Sequence, residues 1–323
     1  MHFVSEKIIN FIFLNKISCD NIIIVKRNSP KKIKRGKTMI QVNNLFNNAN
    51  IKCIENKGHY QVIEYQSDKS VTPYTAATAY FMQKMNVKRR QLLCTLNGEA
   101  VKIQAGAMQW QTGGIQMNSD VGGVGGFVGK VIKSSVTGES VVKPLYQGAG
   151  YLMLEPTYSH ILLEDVASWG PAGIVLDDGL FLACDANIQD RVVGRNNASS
   201  ALLGGEGLFN LCLQGQGLVA LESNFPREEL LEINLENDEI RIDGNMAIAW
   251  SGTLNFTVEK STKSLIGSGL SGEGFVNVYR GTGKILMAPV MNGTTMSSNN
   301  GAQQNAKSSS NGLLSSVASS VFS

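Results

Sequence analysis

The phrases LYQGAGYLMLEP (145–156), CLQGQGLVALES (212–223) and VYRGTGKILMAP (278–289) follow one pattern along the chain. Each reads apolar, apolar, polar, Gly, any residue, Gly, any residue, then an apolar run and a terminator. Their glycine pairs, 148/150, 215/217 and 281/283, stand 67 and 66 residues apart. Ahead of each pair lies a Gly-Glu dipeptide, in TGES (137–140), GGEG (204–207) and SGEG (271–274), spaced 67 residues both times. Asn97-Gly98, Asp178-Gly179 and Asp243-Gly244 precede those in turn. Three ordered markers at near-constant spacing imply a threefold tandem duplication, with repeats at about 91–157, 158–224 and 225–290.

The repeats read as β. IRIDGNMAIAW and IVLDDGLFLAC alternate apolar and polar residues around their Asx-Gly dipeptides, and such dipeptides between apolar runs signal tight hairpin turns. Each repeat is therefore expected to be a set of short antiparallel strands punctuated by an Asx-Gly, a Gly-Glu and a G-x-G turn. Before the repeats, Thr72-Pro73 followed by YTAATAYFMQKMN predicts one helix, with Thr72 as cap and Pro73 at the first helical position. Ala77, Phe81, Met82 and Met85 share one side of it. Lys84, Lys88, Arg89 and Arg90 follow, where the helix dipole favours cations without any ligand.

The first repeat carries an insertion. From the Asx-Gly to the Gly-Glu marker takes 40 residues there, against 26 and 28 in the other two. The extra length is DVGGVGGFVGKVIKSS, which is not a phosphate loop. Val124 stands where a P-loop needs its first glycine, and Val131 follows Lys130 in place of a hydroxyl. Gly123 and Gly125 are followed by Val128 at the third glycine of a dinucleotide fingerprint. What remains is glycine every third position, Gly123, Gly126 and Gly129, among Val124, Phe127 and Val128. That suits close backbone approach and apolar contact, so Gly123, Val124, Gly126, Phe127, Gly129 and Lys130 are the candidate interaction residues.

Charge and reactive residues narrow the function further. The net charge of +3 is concentrated in residues 1–38, which hold nine of the 29 Lys/Arg and two of the 26 Asp/Glu, so the rest is mildly acidic. That argues against broad nucleic-acid binding. Five scattered cysteines without a C-x-x-C pair read as reduced, buried thiols of a cytoplasmic protein. Only His59 and His160 stand within the repeats and their approach, too few for a His-rich metal site. With 34 glycines and 7 prolines, the composition suits a β-rich fold with many tight turns.

The two ends differ from this body. Residues 1–38 have short apolar runs broken by Lys16 and Asp20, lack a signal-peptide cleavage site, and end in Arg35-Gly36-Lys37-Thr38 before Met39. Those four codons back-translate to a purine-rich ribosome-binding sequence, so Met39 is the expected initiator and 1–38 a leader outside the fold. Residues 291–323 are dominated by Ser, Asn and Gly and read as a disordered tail. The domain is then 39–290.

GEAVKIQAGAMQW, the DVGGVGG stretch, TGES, LDDGLF, SSALLGGEGLF and VEKSTKS…SGEGFVNVYRGTGKILMAP together resemble the altered inheritance of mitochondria protein 24 family over about residues 40–290. The resemblance implies a fold similar to the tryptophan RNA-binding attenuation protein: short double-stranded β-helix units, three per chain, assembled into rings. Three units per chain suggest a homotrimer with nine units about one axis. The family brings no catalytic residues, and its mitochondrial members are linked to inner-membrane organisation.

The expected function is thus a non-enzymatic scaffold that binds itself and a protein partner or membrane surface, without cofactor or nucleic acid. An alternative is ion or small-molecule binding, because Glu139, Glu206 and Glu273 occupy the same turn in each repeat and could converge as oxygen ligands. RNA binding by fold analogy would need a repeated basic stripe, but the aligned positions are Gln147, Gln214 and Arg280.

Overall fold

A computed structural model describes residues 40–118, 143–194, 209–260 and 275–290. The leader, the tail and the Gly-rich insertion lie outside them. The chain is mostly β, as its alternating pattern predicts. A hairpin of β1 (Ile51–Lys57) and β2 (Tyr60–Tyr65) comes first, then α1 (Ala76–Lys84). A first group of strands follows: β3 (Arg90–Ile103), β4 (Met108–Gln111), β5 (Ile115–Asn118) and β6 (Leu145–Leu154). A second group holds β7 (His160–Asp165), β8 (Ile174–Leu176), β9 (Phe181–Asp185), β10 (Gln189–Gly194), β11 (Phe209–Gln214) and β12 (Leu218–Ser223). The last is β13 (Leu231–Asp243), β14 (Ala247–Ser251), β15 (Asn255–Lys260) and β16 (Phe275–Met287).

Two antiparallel sheets result. One follows the path β1-β2-β3-β9-β12-β7, with β6 joined to β3, β4 and β5, and is nearly closed on itself as a barrel. The other follows β10-β11-β8-β14-β16-β13, with β15 on β16, and forms a half-barrel. β6 pairs with β3, β4 and β5, and β16 pairs with β13, β14 and β15. In the middle group the same tasks are divided, with β11 pairing β8 and β10, and β12 pairing β7 and β9. Neighbouring groups join by short antiparallel ladders. Val101, Lys102 and Ile103 of β3 face Asp185, Cys184 and Ala183 of β9. Ile174, Val175 and Leu176 of β8 face Ser251, Trp250 and Ala249 of β14.

The Asx-Gly dipeptides do not make hairpins, contrary to the sequence expectation. Asn97-Gly98 lies inside β3, where the register with β6 slips between Asn97 and Ala100, so the pair forms a bulge. Asp178-Gly179 turns the chain from β8 into β9, which belong to different sheets. Gly244 turns β13 into β14, which both pair with β16 rather than with each other. The left-handed φ angles that the dipeptide signals are present, +82° at Gly179 and +55° at Gly244. The strands they release simply find other partners. Nor are the G-x-G pairs turns in the first and last groups, where they lie inside the long strands β6 and β16.

The predicted helix forms but starts later. Thr72 C=O accepts the N–H groups of both Thr75 and Ala76, making a turn that moves the N-cap to Thr75. Its apolar side is largely exposed: no residue of α1 is buried, Phe81 is 64% exposed, and neighbouring Met85 and Tyr74 are 76% and 96% exposed. Among the described residues no helix is long and apolar enough to cross a membrane.

Candidate functional site

The residues singled out by sequence as sites fall outside the described residues: Glu139, Glu206 and Glu273, and the segment holding Gly123, Val124, Gly126, Phe127, Gly129 and Lys130. Among the described residues no group of His, Cys, Asp or Glu is set to hold a metal. What the described residues do bring together is the G-x-G pairs and one polar cluster.

At each pair a strand end crosses close above the glycines. A Cβ on Gly150 would lie 2.0 Å from Thr112 Oγ1, one on Gly217 would lie 2.6 Å from Asp185 Oδ2, and one on Gly283 would lie 2.7 Å from Ser251 Cβ. No side chain fits there, and φ of +150° and +139° at Gly150 and Gly217 further favours glycine. The close approach is used for one hydrogen bond. Tyr151 N–H donates to Thr112 Oγ1 at 2.9 Å, Leu218 N–H to Asp185 Oδ2 at 2.9 Å, and Lys284 N–H to Ser251 Oγ at 3.0 Å. Opposite the second glycine of each pair stands a large buried residue: Leu96, Val166 and Leu235.

The middle position differs because its oxygen comes from a carboxylate. His59, in the β1–β2 turn, places Nε2 3.1 Å from Asp185 Oδ1. Neither atom has an aligned hydrogen bond there, so the contact is a close approach rather than a directed bond. Tyr60 lies against the His59 ring, 4.2 Å between centroids and tilted by 44°, and its buried hydroxyl also lacks an aligned partner. Burial raises the Asp185 pKa, but His59 and the Leu218 N–H outweigh it and hold the carboxyl below its usual range. Burial first, then neighbouring Cys94 and Asp185, pushes the Tyr60 hydroxyl well above 10.

This cluster has no activated nucleophile. Burial raises the Cys184 thiol to about 12, and the Cys94 thiol higher still, so both stay neutral. The cluster therefore plugs the meeting of the N-terminal hairpin with β9. Sequence gave no signal for it, since His59 and Asp185 belong to no motif and meet only through the fold.

The basic cluster behind α1 is engaged in structure. Lys88 and Arg90 both bind Glu64, at 3.0 and 2.9 Å, and the Arg90 side chain is 4% exposed. Arg89 lies over the Tyr65 ring and near Asp68. Gln214 donates to the Pro171 carbonyl, and Arg280 binds Glu239 and Glu259. Glu164 pairs with Arg227, while Asp165 caps the short 3-10 turn at Val166–Trp169.

The comparisons with known proteins agree with the resemblance read from sequence. The family described as Mitochondrial biogenesis AIM24 matches residues 82–290. An uncharacterised protein of Streptococcus pyogenes serotype M6 is 32% identical over 199 residues, covering 59% of this chain and 77% of its own length. A crystallised protein, also from Streptococcus pyogenes, is 29% identical and covers 64% of this chain and 91% of its own, at a TM-score of 0.47. The chain belongs to the Mitochondrial biogenesis AIM24 family.

Proposed function

We propose that this protein is a non-enzymatic scaffold, built from three tandem β units and assembled with copies of itself as a homotrimer. The observation that carries the reading is the recurring lock at 112/150, 185/217 and 251/283. In each, a glycine admits a crossing strand, and the next residue's N–H binds a side-chain oxygen on it. The register supports the same reading. Ile115, Ile188 and Leu254, all buried, stand at matching distances from the three pairs. β4, β9 and β14 each carry a register slip at the same place, between Met108 and Trp110, Phe181 and Ala183, and Ala247 and Ala249. Triplication of a two-sheet unit, with its polar groups spent on internal bonds, favours a repetitive framework over a catalytic pocket.

Two further features fit. The exposed Tyr74, Tyr80, Phe81 and Met85 give the protein apolar surface suited to contact. Cys94, Cys184 and Cys212 are buried thiols outside any disulfide, as in a protein of the reducing cytoplasm. Light scattering on the full chain tests the assembly. The reading expects three times the 34.8 kDa chain mass, whereas a monomer mass that holds across concentrations would refute it.

A further inference from the structure

The two ladders that join neighbouring groups use matching positions. In each, three residues of one group pair with the strand of the next group that ends at its lock residue, Asp185 or Ser251. Lys102 and Val175 stand opposite residues three before their own first glycine, Leu145 and Cys212, and each meets the residue just before the next lock, Cys184 and Trp250. Arg241 of β13 holds the same position, opposite Val278. Among the described residues it has no ladder on its other side, because β13 pairs there only with β16. At the opposite end of the chain, β4 pairs only with β6, while its counterparts β9 and β14 are flanked on both edges. Among the described residues the chain thus begins with one half of a ladder and ends with the other.

Burial gives an independent sign. The Lys102 side chain is 21% exposed and Val175 5%, but the Arg241 side chain is 48% exposed. The edge of β4 is also uncharged, Met-Gln-Trp-Gln, with Met108 37% exposed. A sheet edge without charge, proline or cover is a template for another strand.

We infer that the inner end of β13 in one copy pairs antiparallel with β4 of the next, continuing across chains the ladder made twice within each chain. This rests on the self-assembly proposed above and names its contact. The register follows from the two internal ladders. Ile240 meets Thr112, Arg241 meets Gln111, and Ile242 meets Trp110. Arg241 faces an uncharged glutamine, so no like charges oppose one another. The interface is head-to-tail, and such contacts close into a ring when the rotation allows.

Paired cysteines test the register, because strand partners in a ladder lie within disulfide reach. Gln111 and Arg241 are both exposed, so Gln111→Cys with Arg241→Cys leaves the core intact. Under mild oxidation the full chain carrying both should give covalent dimer and trimer bands that neither single variant gives. Met117→Cys with Arg241→Cys, using the exposed Met117 of β5, should give none beyond its singles. A double variant that stays monomeric on a denaturing gel, while light scattering finds it assembled, overturns this edge and leaves the homotrimer standing. A wild-type monomer by light scattering would remove the assembly reading itself. Equal crosslinking by the 111/241 and 117/241 pairs would also overturn the proposed register.

Discussion

β3 and β13 are both long strands, and they hold matching places in the first and third groups. Their surroundings are opposite. β3 is sandwiched between β2 and β6 along its first half and between β6 and β9 along its second, and Leu92, Leu93, Leu96, Val101 and Ile103 are fully buried. Among the described residues β13 has β16 on one side only, and of its residues just Leu235 and Ile242 are buried. The same local design is therefore core in one place and surface in the other. What separates them is whether other strands of the chain flank them, as β2 and β9 flank β3.

The sharpest way to break the comparison is to truncate matching leucines. Leu92→Ala should cost about 3–5 kcal/mol of unfolding free energy, as for a fully buried leucine whose cavity cannot collapse. Leu231→Ala should cost no more than about 1 kcal/mol, because half of the side chain is already in solvent. Equal losses in chemical denaturation would contradict the contrast between the two strands.

The glycine locks differ in tightness between the same two groups. A Cβ on Gly148 would lie 2.1 Å from the Gly114 carbonyl oxygen, whereas one on Gly281 finds nothing nearer than 3.7 Å. Both have positive φ, +141° and +121°. Gly148→Ala should therefore cost roughly 3 kcal/mol or more, since backbone must move, and Gly281→Ala about 1–2 kcal/mol from conformational strain alone. Thermal melts of the two variants check the order.

Acid sensitivity sharpens the contrast in electrostatics. Burial raises the Glu64 pKa, but Lys88 and Arg90 outweigh it and hold the carboxyl low. A carboxyl depressed in the folded state contributes fully above its unfolded pKa of about 4.3 and loses that contribution as pH falls through the lower folded value. On β13, hydrogen bonding from Arg241 and then Arg280 also lowers Glu239, but in the open. Raising salt should weaken the Glu239 contribution and leave that of Glu64 largely in place. The check is melting temperature against pH below about 4.3 for wild type and Glu64→Gln at two salt concentrations. Glu64→Gln should flatten the profile at both.

The smallest expected effect is at the middle lock. Asp185→Ser restores the hydroxyl that serves at Thr112 and Ser251, so it should keep the Leu218 N–H bond while losing the approach to His59. A cost of about 1 kcal/mol is expected in urea denaturation. A much larger loss would mean that the His59 contact holds the hairpin in place.

How much of this was legible in the sequence depends on the range of the cause. The glycine pairs were visible because a steric need at one residue leaves one residue type. The helix was visible from Thr-Pro and its alanines, although its exposed face was not, since periodicity reports a stripe and not what covers it. The Asx-Gly dipeptides announced left-handed backbone correctly but misled on pairing, because a turn does not decide which sheet receives the next strand. His59 and Asp185 were invisible, as nothing local links a hairpin turn to a strand end so far along the chain. The open edges of β4 and β13 were invisible for the same reason: an edge is defined by the partner it lacks.

Hydrogen–deuterium exchange on the full-length protein tests the central claim most directly. If β13 is completed by β4 of the next copy, amides of residues 239–243 and 108–111 should be protected in concentrated protein to the same degree as 101–103 and 174–176, and should lose that protection on dilution while the internal ladders keep theirs. Fast exchange at 239–243 and 108–111 at every concentration, beside slow exchange at 101–103 and 174–176, would contradict the account.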